Sequence, residues 1–143
     1  MNPSRRERVE LFRRSQRRYR PDRARFAQLV QEALASVPEP FRSRLDNVAV
    51  VVAEEPDPEQ LERLGYPPDT TLLGLYEGTP LGQRGAAYHL AVPDRITIFR
   101  RPILALCATP EDVRREVRAT VVHELAHYFG IGDEELEALE ERR

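Results

Sequence analysis

The chain lacks several of the residues that organise other classes of protein. It has no tryptophan, a single cysteine (Cys107) and a single methionine (Met1) in 143 residues, and none of its 22 basic residues is a lysine. One cysteine excludes an internal disulfide, so no oxidising compartment is implied. The apolar setting of Cys107, within the stretch 103–108, favours a buried structural thiol over a regulatory one.

Long hydrophobic segments are also absent. No apolar run approaches the ~18 residues of a membrane-spanning helix, and the N-terminus has no apolar signal-peptide core. The sequence therefore predicts a cytoplasmic protein with no membrane partner. A length of 143 residues and a charged fraction of 32% suit one compact domain.

The basic residues are unevenly distributed. The first twenty residues hold eight arginines against Glu7 and Glu10, whereas the remainder holds 14 arginines against 22 acidic residues. Residues 1–21 are therefore interpreted as a basic arm and residues 22–143 as a single domain. The arm is typical of a segment that binds nucleic acid or an acidic partner. The alternatives are a solvated, partly disordered tail and a helix that folds back on the acidic remainder of the chain. These alternatives are preferred, because only Phe12 and Tyr19 interleave with the arginines.

The chemistry that the chain does have is concentrated in residues 123–133. This segment reads His-Glu-Leu-Ala-His-Tyr-Phe-Gly-Ile-Gly-Asp, with two histidines four residues apart. On a helix that spacing separates them by about 40° around the axis and one turn along it, so both imidazoles can bind one zinc ion at ~2.1 Å. Glu124 is rotated by about 100° to the flank of the pair, the position of a general base toward a metal-activated water.

The turn after the histidines supplies a third candidate ligand. Gly130 allows the chain to leave the helix through a left-handed residue, and Asp133, six residues beyond His127, can then fold back onto the metal. Three protein ligands leave the fourth zinc position open for water, as in catalytic sites. The sequence thus predicts one zinc ion per chain, bound by His123, His127 and Asp133.

The metal segment lies at the end of a predicted amphipathic helix. Thr109 and Pro110 are the expected N-cap and first helical residue, and acidic residues fill the first turn. Apolar side chains then recur at helical spacing, at Val113, Val117, Val121 and Leu125. The deep end of such a helix can shield a site from bulk water.

The segment 123–133 resembles the active-site motif of the zincin metallopeptidases. Its spacing resembles the metzincin pattern H-E-x-x-H-x-x-G-x-x-H, with Asp133 where most members have a third histidine. Residues 22–140, including Leu-Gly-Leu-Tyr-Glu-Gly-Thr-Pro-Leu at 73–81, resemble a family of small bacterial single-domain zincin-like proteins. The resemblance implies a reduced zincin fold and peptidase activity. One feature differs: metzincins carry a Met-turn below the metal, and the only methionine here is Met1.

Hydropathy and turn residues predict the remaining elements. Helices are expected from Asp22 to just before Pro38, over 57–64 and over 134–142, with a helical turn at 40–45. Strands are expected over 48–53, 72–76, 88–92 and 95–100, and the first, apolar on both faces, is expected at the centre of the sheet. The glycine-rich stretch 77–86 is expected to be a loop and a candidate lid. The sum is an α+β fold, a small mixed sheet packed on two main helices.

Three further features bear on substrate binding. In zincins the strand that precedes the metal helix lies at the sheet edge, so the resemblance implies that residues 95–100 bind an extended peptide by strand addition; an interior strand is the alternative. His89 is interpreted as a hydrogen-bonded strand residue rather than a ligand. Three tyrosines are candidate donors of a hydrogen bond to the oxyanion, namely Tyr76, Tyr88 and Tyr128. The sequence does not distinguish between them, and it favours a role in the core for each.

These features favour a zinc-dependent metallopeptidase acting on peptides or proteins, with Glu124 passing the proton of the water to the leaving amine. A second hypothesis is a zinc-dependent RNA-processing nuclease of the bacterial type with three histidines near its C-terminus. The basic arm favours a nuclease. Two residues argue against it: nuclease chemistry does not need Glu124 after the first histidine, and the third candidate ligand, Asp133, is not a histidine. A third is a non-catalytic zinc-binding module, which is disfavoured because two histidines, one aspartate and an adjacent glutamate make an open site.

Overall fold

A computed structural model of the protein describes residues 2, 4–9, 18–45, 47–78, 94–131 and 134. The predicted strand over 88–92, most of the predicted loop over 77–86, and the C-terminal helix beyond residue 134 lie outside the described residues. The elements in chain order are α1 (Arg23–Ala35), a 3-10 turn (Arg42–Arg44), β1 (Val48–Ala53), α2 (Pro58–Arg63), β2 (Gly74–Glu77), β3 (Asp94–Phe99), α3 (Arg100–Ala105) and α4 (Pro110–Tyr128). Residues 5–9 are also helical.

The three strands form a mixed sheet in the order β1-β3-β2. Strand β1 runs parallel to β3, with Val50 opposite Ile96, and β2 runs antiparallel to β3, with Tyr76 opposite Ile96. Helices α1 and α4 pack together over the sheet. The predicted α+β class, a small mixed sheet on two main helices, is confirmed.

The places of two strands in the sheet differ from the sequence-based prediction. The sequence predicts β1 at the centre, but among the described strands it lies at an edge, and Val51 on its outer face is 39% exposed. The resemblance implies β3 at the edge, but β3 is paired on both sides. Its residues are buried except Arg95, whereas alternate residues of β1 face outward. The outward positions of β1 hold Ala49 and Val51, and these apolar residues give the strand the composition of a buried one.

The core lies between the sheet and the two main helices. Its members are aliphatic or aromatic side chains contributed by every layer, including Phe26, Leu29, Val30, Ile96, Ile98, Ile103, Val113, Val117, Val121 and Leu125. Cys107 belongs to this cluster, as the sequence indicates, and its thiol donates to the carbonyl oxygen of Ile103 at 3.2 Å. Burial raises the pKa of the Cys107 thiol, and the nearby carboxylates of Glu116 and Asp112 raise it further.

The helix boundaries follow local side-chain signals. Asp22 caps α1 by accepting from the amide of Arg25, and Asp57 caps α2 by accepting from the amide of Glu59. Gly65, with φ of 82°, follows the end of α2. The sequence does not predict helix α3. No helix in the described part of the chain is long and apolar enough to cross a membrane.

The last residues of the predicted basic arm contact the domain. The amide of Tyr19 donates to the carbonyl of Ala108 at 2.8 Å, and the guanidinium of Arg20 donates to the carbonyl of Leu104 at 2.8 Å. Pro21 is buried, and its carbonyl accepts two hydrogen bonds from the guanidinium of Arg100. Within the described residues 18–21, contacts with the domain begin at Arg18, whose guanidinium donates to the carbonyl of Ala105 at 3.5 Å, before the expected boundary at residue 22.

Candidate metal centre

Helix α4 positions the candidate metal ligands, and its start is fixed by a capping box. The Thr109 hydroxyl accepts from the amide of Asp112 at 3.1 Å, and the Asp112 carboxylate accepts from the amides of Thr109 and Ala108 at 3.1 and 2.9 Å. These backbone hydrogen bonds lower the pKa of Asp112 to about 2, and the bond from the amide of Ala108 has the largest effect. Pro110 occupies the first turn, where its missing N–H removes no helical hydrogen bond.

The other end of α4 is closed by the backbone. Gly130 has φ of 77°, and its amide donates to the carbonyl of His127 at 3.0 Å, while the amide of Ile131 donates to the carbonyl of Ala126 at 2.8 Å. This pair of bonds is the Schellman arrangement, which requires a left-handed residue that glycine adopts without strain. His127 therefore lies in the last turn of α4, where the chain leaves toward the segment that contains Asp133.

Three candidate site residues converge on one face of α4. Each of these residues, His123, Glu124 and His127, has an atom that could bind a metal. These three atoms lie within 4.8 Å of one another. The two imidazole rings lie 4.8 Å apart between centroids, inclined at 74°. Two nitrogens on a tetrahedral zinc at ~2.1 Å are about 3.4 Å apart, so small side-chain rotations bring the pair into range. The donor set therefore fits a zinc ion.

Glu124 and His127 are joined by a hydrogen bond. Oε2 of Glu124 lies 3.2 Å from Nδ1 of His127, one helical turn away. The side chain of Glu124 is 9% exposed and that of His127 is 35% exposed, so the carboxylate lies beneath the imidazole and the ring reaches toward solvent. When Nδ1 of His127 carries the proton and donates it to Glu124, Nε2 presents its lone pair, as a metal-binding histidine must.

Strand β2 passes directly against this part of α4. A Cβ atom built on Gly74 would lie 2.7 Å from Cγ2 of Thr120 and 3.0 Å from Cγ of Glu124. Sequence reasoning singles out neither Gly74 nor Thr120 as a site residue. Gly74 does fall in the stretch 73–81 that carries the family resemblance, and a glycine inside a strand indicates close approach of another chain segment.

Two of the three candidate oxyanion donors have structural partners. The hydroxyl of Tyr76 donates to the buried carboxylate of Asp94, and that of Tyr128, itself fully buried, donates to the carbonyl of Arg44 at 3.1 Å. The rings of Tyr76 and Tyr128 meet edge to face, 6.1 Å apart. A core role is thus observed for both tyrosines.

The remaining predicted residues fall outside the described part of the chain. These are Asp133, the candidate third ligand, together with Tyr88 and His89. The assignment of Asp133 as a ligand therefore stays a prediction, as do the roles of His123, Glu124 and His127, although the structure brings these last three together.

A comparison with known families agrees with this geometry. A family model described as zincin-like metallopeptidase matches residues 45–143, which is more than half of the chain and includes the whole of α4. A solved structure of a conserved hypothetical protein from Thermus thermophilus is 27% identical, and the match covers 85% of this chain and 100% of that one with a TM-score of 0.49. No functionally curated protein matches significantly.

Proposed function

Because the chain belongs to the zincin-like metallopeptidase family, we propose that it is a zinc-dependent metallopeptidase that hydrolyses peptide bonds in peptide or protein substrates. The observation that carries this proposal is the convergence of His123, Glu124 and His127 at the end of one capped helix. Two imidazoles and a carboxylate at this spacing combine zinc ligation with a group that transfers protons, and hydrolysis needs both.

The zinc ligands in this proposal are His123, His127 and Asp133. With zinc bound, the ion would polarise the scissile carbonyl and make a water acidic enough to attack near neutral pH. Asp133 follows the left-handed turn at Gly130 and lies six residues beyond His127, a distance along the chain that allows it to return to the end of α4.

Glu124 is the proposed general base. Its carboxylate would accept a proton from the attacking water and later give it to the leaving amine, so that the amine departs uncharged. Burial beneath the imidazole of His127 keeps bulk water from competing for that proton. The hydrogen bond to Nδ1 of His127 occupies one carboxylate oxygen and leaves the other available for proton transfer.

Strand β3 does not offer an edge for an extended substrate, because its backbone groups are paired on both sides. Strand β2 crosses α4 at Glu124, where Gly74 makes its close contact. A substrate that reaches the proposed base would therefore pass close to β2.

Digestion of a mixed peptide library, followed by mass spectrometry, tests the proposed function. We expect the zinc-loaded protein to cleave peptides at defined positions, and we expect Glu124→Gln to abolish cleavage. Glu111→Gln is the matched control, because it makes the same change in the first turn of the same helix. If zinc-loaded wild type cleaves nothing above the level of Glu124→Gln, or if Glu124→Gln cleaves like wild type, the proposal is wrong.

A further inference from the structure

We propose that Gly74 is a positioning residue for Glu124, with the methyl group of Thr120 as the second element of the same contact. This inference rests on the proposed function, in which Glu124 is the general base. The absence of a side chain at residue 74 allows β2 to lie directly on α4. The close packing at this contact determines the position of the Glu124 carboxylate.

The steric requirement at Gly74 is severe. An added Cβ would be 2.7 Å from Cγ2 of Thr120, a separation that Cβ atoms essentially never show, and 3.0 Å from Cγ of Glu124. The carbonyl oxygen of Thr97 on β3 would be 3.3 Å away. The backbone of Gly74 does not have a positive φ, so glycine is needed here for space and not for conformation.

Each of the two side chains on α4 can move away only by breaking a hydrogen bond. As whole residues, Thr120 and Glu124 are each only 6% exposed, and they lie one helical turn apart on the same face. The hydroxyl of Thr120 donates to the carbonyl of Glu116 at 2.8 Å, which fixes the rotamer that directs Cγ2 at Gly74. Glu124 in turn is held by its hydrogen bond to His127.

A side chain at residue 74 would therefore move the carboxylate that the proposed reaction uses. Displacement of Cγ of Glu124 would lengthen its 3.2 Å contact with Nδ1 of His127 and misplace the free carboxylate oxygen. Misplacement of a catalytic group by about 1 Å can lower a rate by ~10²-fold. The metal ligands themselves are not in the contact, so saturating zinc should still fill the site.

The kinetic test uses Gly74→Ala, Thr120→Ser and the double variant. We expect Gly74→Ala to lower kcat by at least about tenfold with one zinc per chain retained. Thr120→Ser removes the methyl group nearest the new Cβ and keeps the hydroxyl, so in the double variant it should restore most of the kcat that Gly74→Ala loses. Val113→Ala, a buried change elsewhere on α4, controls for loss of stability and should keep kcat.

A second measurement does not depend on hydrolysis. The imidazole nitrogens of His127 in the zinc-free protein can be followed by nitrogen-detected NMR at constant pH, because Nδ1 reports its distance from Glu124. Gly74→Ala should shift the Nδ1 signal of His127, Thr120→Ser in the same chain should reverse the shift, and Val113→Ala should not cause one.

The two measurements separate the two proposals. If wild type cleaves no peptide, the proposed function is wrong, and the NMR shifts alone decide whether Gly74 positions Glu124. Unchanged His127 signals in Gly74→Ala would overturn the positioning role. So would a fall in kcat that Val113→Ala reproduces, or one that Thr120→Ser fails to relieve.

Discussion

Glu124 and His127 form a hydrogen-bonded pair, with 3.2 Å between Oε2 and Nδ1, so the proposed base also orients a proposed zinc ligand. The two roles can be separated by substitution. Glutamine keeps an oxygen that can accept from Nδ1, but it has no carboxylate to take a proton, whereas alanine removes both.

We therefore predict different results for two changes at Glu124. Glu124→Gln should bind zinc nearly as well as wild type and lose hydrolysis. Glu124→Ala should lose hydrolysis and also bind zinc about tenfold more weakly, because His127 loses the partner that orients it. Competition titrations with a chromogenic chelator measure both affinities, and equal zinc affinity of the two variants would contradict the orienting role.

Zinc stoichiometry tests the two histidines. Protein purified without chelator should contain about one zinc per chain, and His123→Ala and His127→Ala should each lose it, because each removes a ligand. His89→Ala is the matched control and should retain the metal. Elemental analysis provides the measurement; full occupancy in either of the first two variants would remove that histidine from the site.

Asp133 is tested by its own pair of substitutions. Asp133→Ala should weaken zinc binding by at least about tenfold. Asp133→His, in which a neutral ligand replaces a charged one, leaves the site more positively charged, so the alkaline-rising limb of activity should move to lower pH. If Asp133→Ala binds zinc as tightly as wild type, the ligand must be sought among Glu134, Glu135 and Glu137.

The basic arm should be dispensable for the proposed reaction. Deletion of residues 1–17 keeps Tyr19 and Arg20, which contact the domain. We expect zinc content and peptide hydrolysis to stay within about twofold of wild type, because a deletion that removes no transition-state contact leaves kcat/KM nearly unchanged. Salt-sensitive RNA cleavage that requires both the arm and zinc would instead favour a nuclease.

The capping box of α4 gives a pH-dependent prediction. The pKa of Asp112 is about 2 in the folded protein, below the ~3.9 of an unfolded aspartate, so its stabilising effect is complete above the unfolded pKa and is lost as pH falls toward 2. Asp112→Asn should lower the urea midpoint at neutral pH, and the difference from wild type should shrink in acid. Glu111→Gln, in the same turn, is the control; a difference that stays constant down to about pH 2 would contradict the capping role.

Local signals in the sequence are enough to predict most elements, whereas their arrangement in the sheet is not predicted. The caps Asp22, Asp57 and Thr109 mark where helices begin, because a cap depends on a few neighbouring residues. The centre and edge of the sheet depend on which strands pair, and this is decided by contacts between distant residues. The apolar residues on the outer face of β1 give no sign that it lies at an edge.

The candidate site is predictable for a related reason. His123, Glu124 and His127 lie within five residues on one helix, so their convergence follows from helical geometry. The packing of Gly74 on Glu124 joins residues fifty positions apart, and it is visible only once β2 and α4 are placed. The sequence thus indicates the local chemistry but not the surroundings that tune it.

Helix α4 is closed by its own chain at both ends, by Thr109 and Asp112 at the start and by Gly130 after the last turn. In zinc-finger domains the ion holds the fold together, so loss of one ligand unfolds the chain. Here the turn that carries the histidines is held by backbone hydrogen bonds and by the buried side chains of Val117 and Val121. The fold therefore does not depend on the metal ligands. A related chain that has lost one of the histidines would still form a stable domain, which could take on another function.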